Sequence, residues 1–161
     1  MVDGQIPEEC RKVEKFLADH GVLGVVRVLA DSTRTAEEAA SALGCSPAQI
    51  IKSIIFRAKV SDRPVLVLTC GDRRVNEKKV TALIGEKIGR ADAQFVQART
   101  GFAVGGVPPF AHNEQPIVVI DSSVQRFDRV WGSAGSAHSM VEIDTKALIQ
   151  LVDGPVADVA G

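Results

Sequence analysis

Residues 101 to 112, Gly-Phe-Ala-Val-Gly-Gly-Val-Pro-Pro-Phe-Ala-His, constrain the fold more than any other stretch of the chain. Three glycines and two adjacent prolines exclude a helix interior or a central strand. Proline removes backbone donors and fixes φ, while glycine opens conformations closed to other residues. The stretch reads as a shaped loop, either an ordinary surface turn or a segment whose main chain something approaches closely. Every other element has to be arranged around it.

The remaining 149 of 161 residues supply short elements of both kinds. Pro7, Glu8 and Glu9 followed by Val13, Phe16 and Leu17 predict an amphipathic helix over 7–20, stopped by Gly21. A β-branched strand is expected over 24–30. Thr35 and Glu38 have capping-box spacing and open a helix through Leu43, ending at Gly44. Ser46-Pro47 is a second helix start. Residues 50–56 and 65–69 read as strands of an antiparallel hairpin turning at Ser61 to Pro64. Helices follow over 76–83, with Val80, Leu83 and Ile84 inward, and over 92–100. Pro116 to Ile120 is a central strand, 130–133 and 140–143 are weaker ones, and Asp144 or Thr145 caps a last helix. The expected class is α+β, with a mixed sheet flanked by helices, because the elements lack a regular βαβ period. A single domain over 1–161 is expected, with residues 1–34 as an N-terminal helix and strand and 154–161 as a frayed tail.

Composition narrows function by exclusion. Nineteen basic against twenty acidic residues give a net charge of -1, which argues against a broadly basic coat for nucleic acid but leaves room for a local pocket for one phosphate. Aromatics make up 4% of the chain and Tyr is absent, so a base-stacking platform is not expected. Cys10, Cys45 and Cys70 are odd in number and form no C-x-x-C pair, which predicts reduced thiols and neither a disulfide framework nor a metal site. No signal-like or membrane-spanning run occurs, and a cytoplasmic location is expected. There is no dinucleotide or Walker fingerprint and no serine elbow, so no cofactor is expected.

Lys52 stands out inside the apolar run Ile50 to Phe56. It shares a face with Ile50 and Ile54, and either snorkels at a sheet edge or projects into a polar pocket to hold an anion. His112 and His138 sit in loops, where each is a solvated side chain or a general base. Asp72-Arg73-Arg74 with Lys78-Lys79 is a basic cluster, either a solvated face or a contact for a phosphate backbone.

In order, the lysine strand, the turn Gly71-Asp72-Arg73-Arg74, the loop from Gly101 to Phe110 with Gly105 and Pro109 in a G-x-x-x-P pattern, and Ser133-Ala134-Gly135 resemble the YbaK/prolyl-tRNA synthetase editing-domain family. The resemblance spans roughly residues 35–152. It implies a compact mixed fold with a pocket beneath the glycine loop, hydrolysis of mischarged aminoacyl-tRNA without a metal, and tRNA held by its 3′ acceptor end. Prolyl-tRNA synthetase is an implied partner, and a monomer or weak dimer the implied state. It assigns Lys52, Gly105 and Gly106 to catalysis, the lysine on the terminal adenosine or its phosphate and the loop amides on the ester. Ser53, Val107, Pro108, Pro109, His112, Ser133, Ala134, Gly135 and His138 are assigned to substrate binding, with Ala134 and Gly135 flooring a small pocket suited to alanine or a similar aliphatic residue. The two prolines confine donating amides to Gly105–Val107 or Phe110. On this reading Gly106→Val abolishes activity and spares the fold. The competing expectation is a non-catalytic tRNA- or synthetase-binding module of the same fold; a general esterase would need an activated nucleophile.

Overall fold

A computed structural model describes residues 6–161. The first five residues of the expected N-terminal segment lie outside the described residues. Helix α1 (Glu8–Asp19) and strand β1 (Val25–Val28) come first, followed by α2 (Ala36–Leu43). Strands β2 (Ile51–Ala58) and β3 (Pro64–Cys70) form the expected hairpin, and α3 (Glu77–Ile84), β4 (Ile88–Arg90) and α4 (Ala93–Thr100) lead into the glycine-rich loop. Beyond it lie β5 (Ile117–Asp121), β6 (Arg129–Ser133), β7 (Ser139–Asp144), α5 (Thr145–Val152) and β8 (Val156–Ala157).

The class is the expected mixture of helices and sheet, but the strands divide into two sheets. One is five-stranded, ordered β4-β2-β3-β5-β8, with antiparallel pairing around β2 and parallel pairing from β3 through β5 to β8. The other is a three-stranded antiparallel sheet, β1-β7-β6. A single parallel bridge, Ile50 to Trp131, joins them.

Strand β3 is buried along its whole length, as a strand covered on both faces must be. Its Leu66, Leu68 and Cys70 face α1, α4, α5 and the glycine loop, where the largest apolar cluster collects Leu17, Val96, Phe102, Phe110 and Leu148. Val65 and Val67 face the other way, towards Val80 of α3 and Val159. Each such side chain, fully buried, contributes roughly 1.5–3 kcal/mol. Leu83 of α3, expected inward, is exposed, because the helix turns Val80 and Ile84 to the sheet.

Helix starts follow the sequence signals closely. Thr35 accepts from the amide of Glu38, Asp92 from that of Phe95 and Asp144 from that of Ala147. Ser46 and Gln49 form a reciprocal capping box, but the element it opens is one 3-10 turn, Pro47–Gln49, because the chain must enter β2 at once.

The tail is not frayed. Strand β8 adds to the sheet edge beside β5 and Val159 is 1% exposed. The buried carboxylate of Asp121 accepts from the amide of Val159 at 2.9 Å, and the amide of Asn76 donates to the Val159 carbonyl at 2.7 Å. Lys79 closes the latch on Asp158 at 3.0 Å and on the Ala160 carbonyl at 2.8 Å. These partners lie far away in sequence, which is why a small, weakly polar tail gave no local sign of order.

Candidate functional site

The glycine-rich loop is half surface and half core. Gly101 ends α4 in the left-handed region, Ala103 and Val104 are exposed, and residues 106–110 are buried. Beneath its exposed half lies a cavity of about 330 Å³, whose rim carries Arg34, Lys52, Ser53, Gly105, Val107 and Ser133. Its apolar wall is made by Ile51, Ile55, Val96 and Met140. No His, Cys, Asp or Glu lines it.

Gly105 and Gly106 are neighbours with different jobs. Gly105 has φ +93°, and a Cβ there would stand 3.3 Å from Cγ of Arg34. Gly106 is a packing position: a Cβ would meet Cα of Ser136 at 2.9 Å and the Gly135 carbonyl oxygen at 3.0 Å. The amide of Gly106 donates to the carbonyl of Ala103 at 3.0 Å, so it is already engaged. Among the described residues the amides of Gly105 and Val107 donate to no protein acceptor. The donors that Pro108 and Pro109 leave to the loop therefore reduce, on this rim, to those two.

Lys52 is half-buried at the start of β2, opposite Thr69 across the ladder. Its ammonium donates to the carbonyl of Arg73. Burial pulls its pKa below the ordinary lysine value, and the carboxylates of Glu37 and Asp72 act against that shift while Arg74 adds to it. The side chain borders both the cavity under the loop and a shallower groove with Arg74, Asn76 and Glu77. The side chain thus stands where the sheet edge meets the mouth of the cavity.

Ser53 points to the opposite face. Its hydroxyl is buried and has no hydrogen-bond partner. That is a costly state for a buried polar group.

The other expected residues are placed elsewhere. Ala134 and Gly135 are buried behind the loop, with Gly135 against Glu9 and Phe102, so they do not floor the cavity; larger aliphatic side chains do. Pro109 packs against Gly132, and with His112 it lines a separate cavity of about 330 Å³ against Phe16 and Leu151. The imidazole Nε2 of His112 donates to the Pro108 carbonyl at 2.7 Å, while its Nδ1 is buried without a partner. Burial lowers its pKa, the Pro108 hydrogen bond opposes this, and nearby Lys12 adds to it. A neutral imidazole pinned to the loop backbone is a brace. His138 is exposed and does not border the cavity.

Arg34 was not anticipated. It is exposed just before the Thr35 cap, its stem lies over Gly105, and among the described residues its guanidinium makes no ion pair or hydrogen bond. The basic cluster is engaged only in part: Lys79 holds the tail and Arg73 stands 3.9 Å from Asp72, which pairs with Arg126 at 2.8 Å, while among the described residues Arg74 and Lys78 form no ion pair.

Comparison with known proteins identifies the family. The aminoacyl-tRNA editing domain model matches residues 30–151. The chain belongs to that family. It is 35% identical over 117 residues to the uncharacterized protein YwhH of Bacillus subtilis (strain 168), covering 73% of this chain and 74% of that one. It is 33% identical over 100 residues to a proline–tRNA ligase of Thermoanaerobacter sp. (strain X514), covering 60% of this chain but 17% of the ligase. A solved structure described as "a putative trans-editing enzyme for prolyl tRNA synthetase" superposes with a TM-score of 0.90 at 32% identity, covering 98% of this chain and 99% of the other. Family and structural likeness together support an editing role on aminoacyl-tRNA.

Among the described residues no cluster of His, Cys, Asp or Glu could hold a metal ion, and no helix is long and apolar enough to cross a membrane. Cys10, Cys45 and Cys70 are free thiols.

Proposed function

We propose that the protein is a trans-acting deacylase that hydrolyses the ester of mischarged tRNA, the tRNA being that for proline and the amino acid small and aliphatic. The observation that carries this reading is the convergence, on one apolar-walled cavity, of Lys52 with the unengaged amides of Gly105 and Val107. The cation holds the anionic end of the nucleic acid. The amides take the ester carbonyl oxygen and hold it as it becomes an oxyanion, a role worth about 2.7–4 kcal/mol per donor in other hydrolases. The lining offers neither a side-chain base nor a thiol. Water therefore attacks the carbonyl carbon, assisted by the ribose hydroxyl beside the ester. The carbon–oxygen bond to the ribose breaks, the water proton passes to the leaving ribose oxygen, and free amino acid and tRNA result. A volume of about 330 Å³ walled by Ile51, Ile55 and Met140 suits a short aliphatic side chain with its ester and ribose.

The test is deacylation of a panel of mischarged tRNAs by the purified protein. Alanyl-tRNA for proline is expected to lose its amino acid well above buffer hydrolysis, and correctly charged prolyl-tRNA to be spared. Binding of the panel with no hydrolysis would make the domain a binding module instead.

A further inference from the structure

Strand β2 leaves part of its edge unpaired above the cavity. The amide of Gly71 donates to the Ile50 carbonyl, and the amide of Ala58 to the Arg63 carbonyl, so the even-numbered residues of β2 turn their main-chain groups towards β3. Alternation along an antiparallel ladder turns those of Ile51, Ser53 and Ile55 to the other side. On that side β4 pairs only with Phe56, Arg57 and Ala58, and Trp131 bridges only to Ile50. Ile51 and Ile55 adjoin those paired positions, which leaves Ser53 in the middle of the gap. Its N–H and C=O face the cavity it lines, and its buried hydroxyl has no partner either. One main-chain donor and one main-chain acceptor thus face a space whose deeper wall is aliphatic, while the hydroxyl is enclosed beside them.

We propose that the free edge at Ser53 binds the aminoacyl group through its main-chain atoms, as if it were one added residue of a β-strand. This rests on the deacylase reading and deepens it. The Ser53 C=O accepts from the α-ammonium, and the Ser53 N–H donates to one lone pair of the acyl carbonyl oxygen, leaving the other to the loop amides. An extended peptide would need a longer edge, because successive outward-facing positions are two residues apart and the neighbouring ones adjoin pairs already made. The ligand class is an α-amino acid ester with a free amino group. The side chain of the amino acid is left to the apolar wall.

The test uses a non-hydrolysable probe, 3′-alanylamino-3′-deoxyadenosine, and its N-acetylated form, with binding measured by calorimetry on the full chain. Acetylation removes the charge and donors on the amino nitrogen, so wild type is expected to bind the free-amino probe about tenfold more tightly. Ser53→Ala keeps the main chain and is expected to keep that preference, while its melting temperature equals or exceeds that of wild type, since an unpaired buried hydroxyl is removed. Equal binding of the two probes by wild type would overturn the proposal. So would loss of the preference in a folded Ser53→Ala, which would place recognition on the side chain and not on the strand edge. A wild type that prefers the free-amino probe yet hydrolyses no mischarged tRNA would leave this site standing and sink the deacylase reading instead.

Discussion

Arg34 lies across Gly105, its Cγ 3.3 Å from where a Cβ on the glycine would stand. The contact ties the start of α2 to the exposed half of the loop and leaves the guanidinium at the mouth of the cavity. Gly105 also has φ +93°, so alanine there is strained whatever the space. Gly105→Ala is expected to cost about 1–2 kcal/mol of stability. Deacylation is expected to fall more than tenfold, because the free amide of the rim is displaced. Thermal unfolding and kcat/KM on the same preparation separate the two effects.

Arg34 itself carries no internal duty that the hydrogen bonds reveal. Removing it should leave stability within about 0.5 kcal/mol, as for other exposed positions. If it meets a phosphate of the acceptor end, Arg34→Ala raises KM several-fold and flattens the dependence of KM on salt by about one counterion. Equal KM and equal salt slope would show that the side chain is a bystander.

Gly106 calls for the opposite outcome from Gly105. A side chain there meets backbone of Ser136 and Gly135 within 3.0 Å, and backbone cannot swing aside as a long side chain can. Gly106→Val is expected to destabilise by roughly 1–3 kcal/mol, a fall of several degrees in melting temperature. The sequence expectation that this substitution spares the fold is therefore corrected by the close approach of the two loops.

His112 should make stability depend on pH. Burial holds its folded pKa below the ordinary value, so between the two values the unfolded chain binds more protons than the folded one. The contribution of neutral His112 is complete above the unfolded pKa of about 6.5 and is lost as pH falls through the folded value. Melting temperature in wild type should thus fall on acidification below about 6.5. His112→Gln keeps a donor for the Pro108 carbonyl without a titrating group, and its acid slope should be shallower. Identical slopes would assign the acid sensitivity elsewhere.

Much of the fold is legible in the sequence because its signals are local. The Ser61 to Pro64 turn, the caps at Thr35, Asp92 and Asp144, and the apolar runs of β2, β3 and β5 each act within a few residues. What is not legible depends on distant partners. β8 is ordered by Asp121 and Asn76, β4 is three residues long with a glycine at its centre, and the division into two sheets rests on where β7 finds β1. In the site, Lys52 announces itself as a charge in a β-branched run. Arg34 does not, since an arginine before a capping box looks like any solvated neighbour. Nor does sequence distinguish Gly105 from Gly106, whose difference lies in φ and in what stands opposite.

The most direct test of the central claim is the rate of amino-acid release from alanyl-tRNA for proline by wild type and by Lys52→Ala, with melting temperatures measured alongside. Lys52 is half-buried at a desolvation cost and makes its hydrogen bond to a single carbonyl, so its loss should change stability by no more than about 1 kcal/mol. Release should fall at least a hundredfold if the ammonium holds the nucleic acid in place for attack. Full activity in the folded variant would contradict the account.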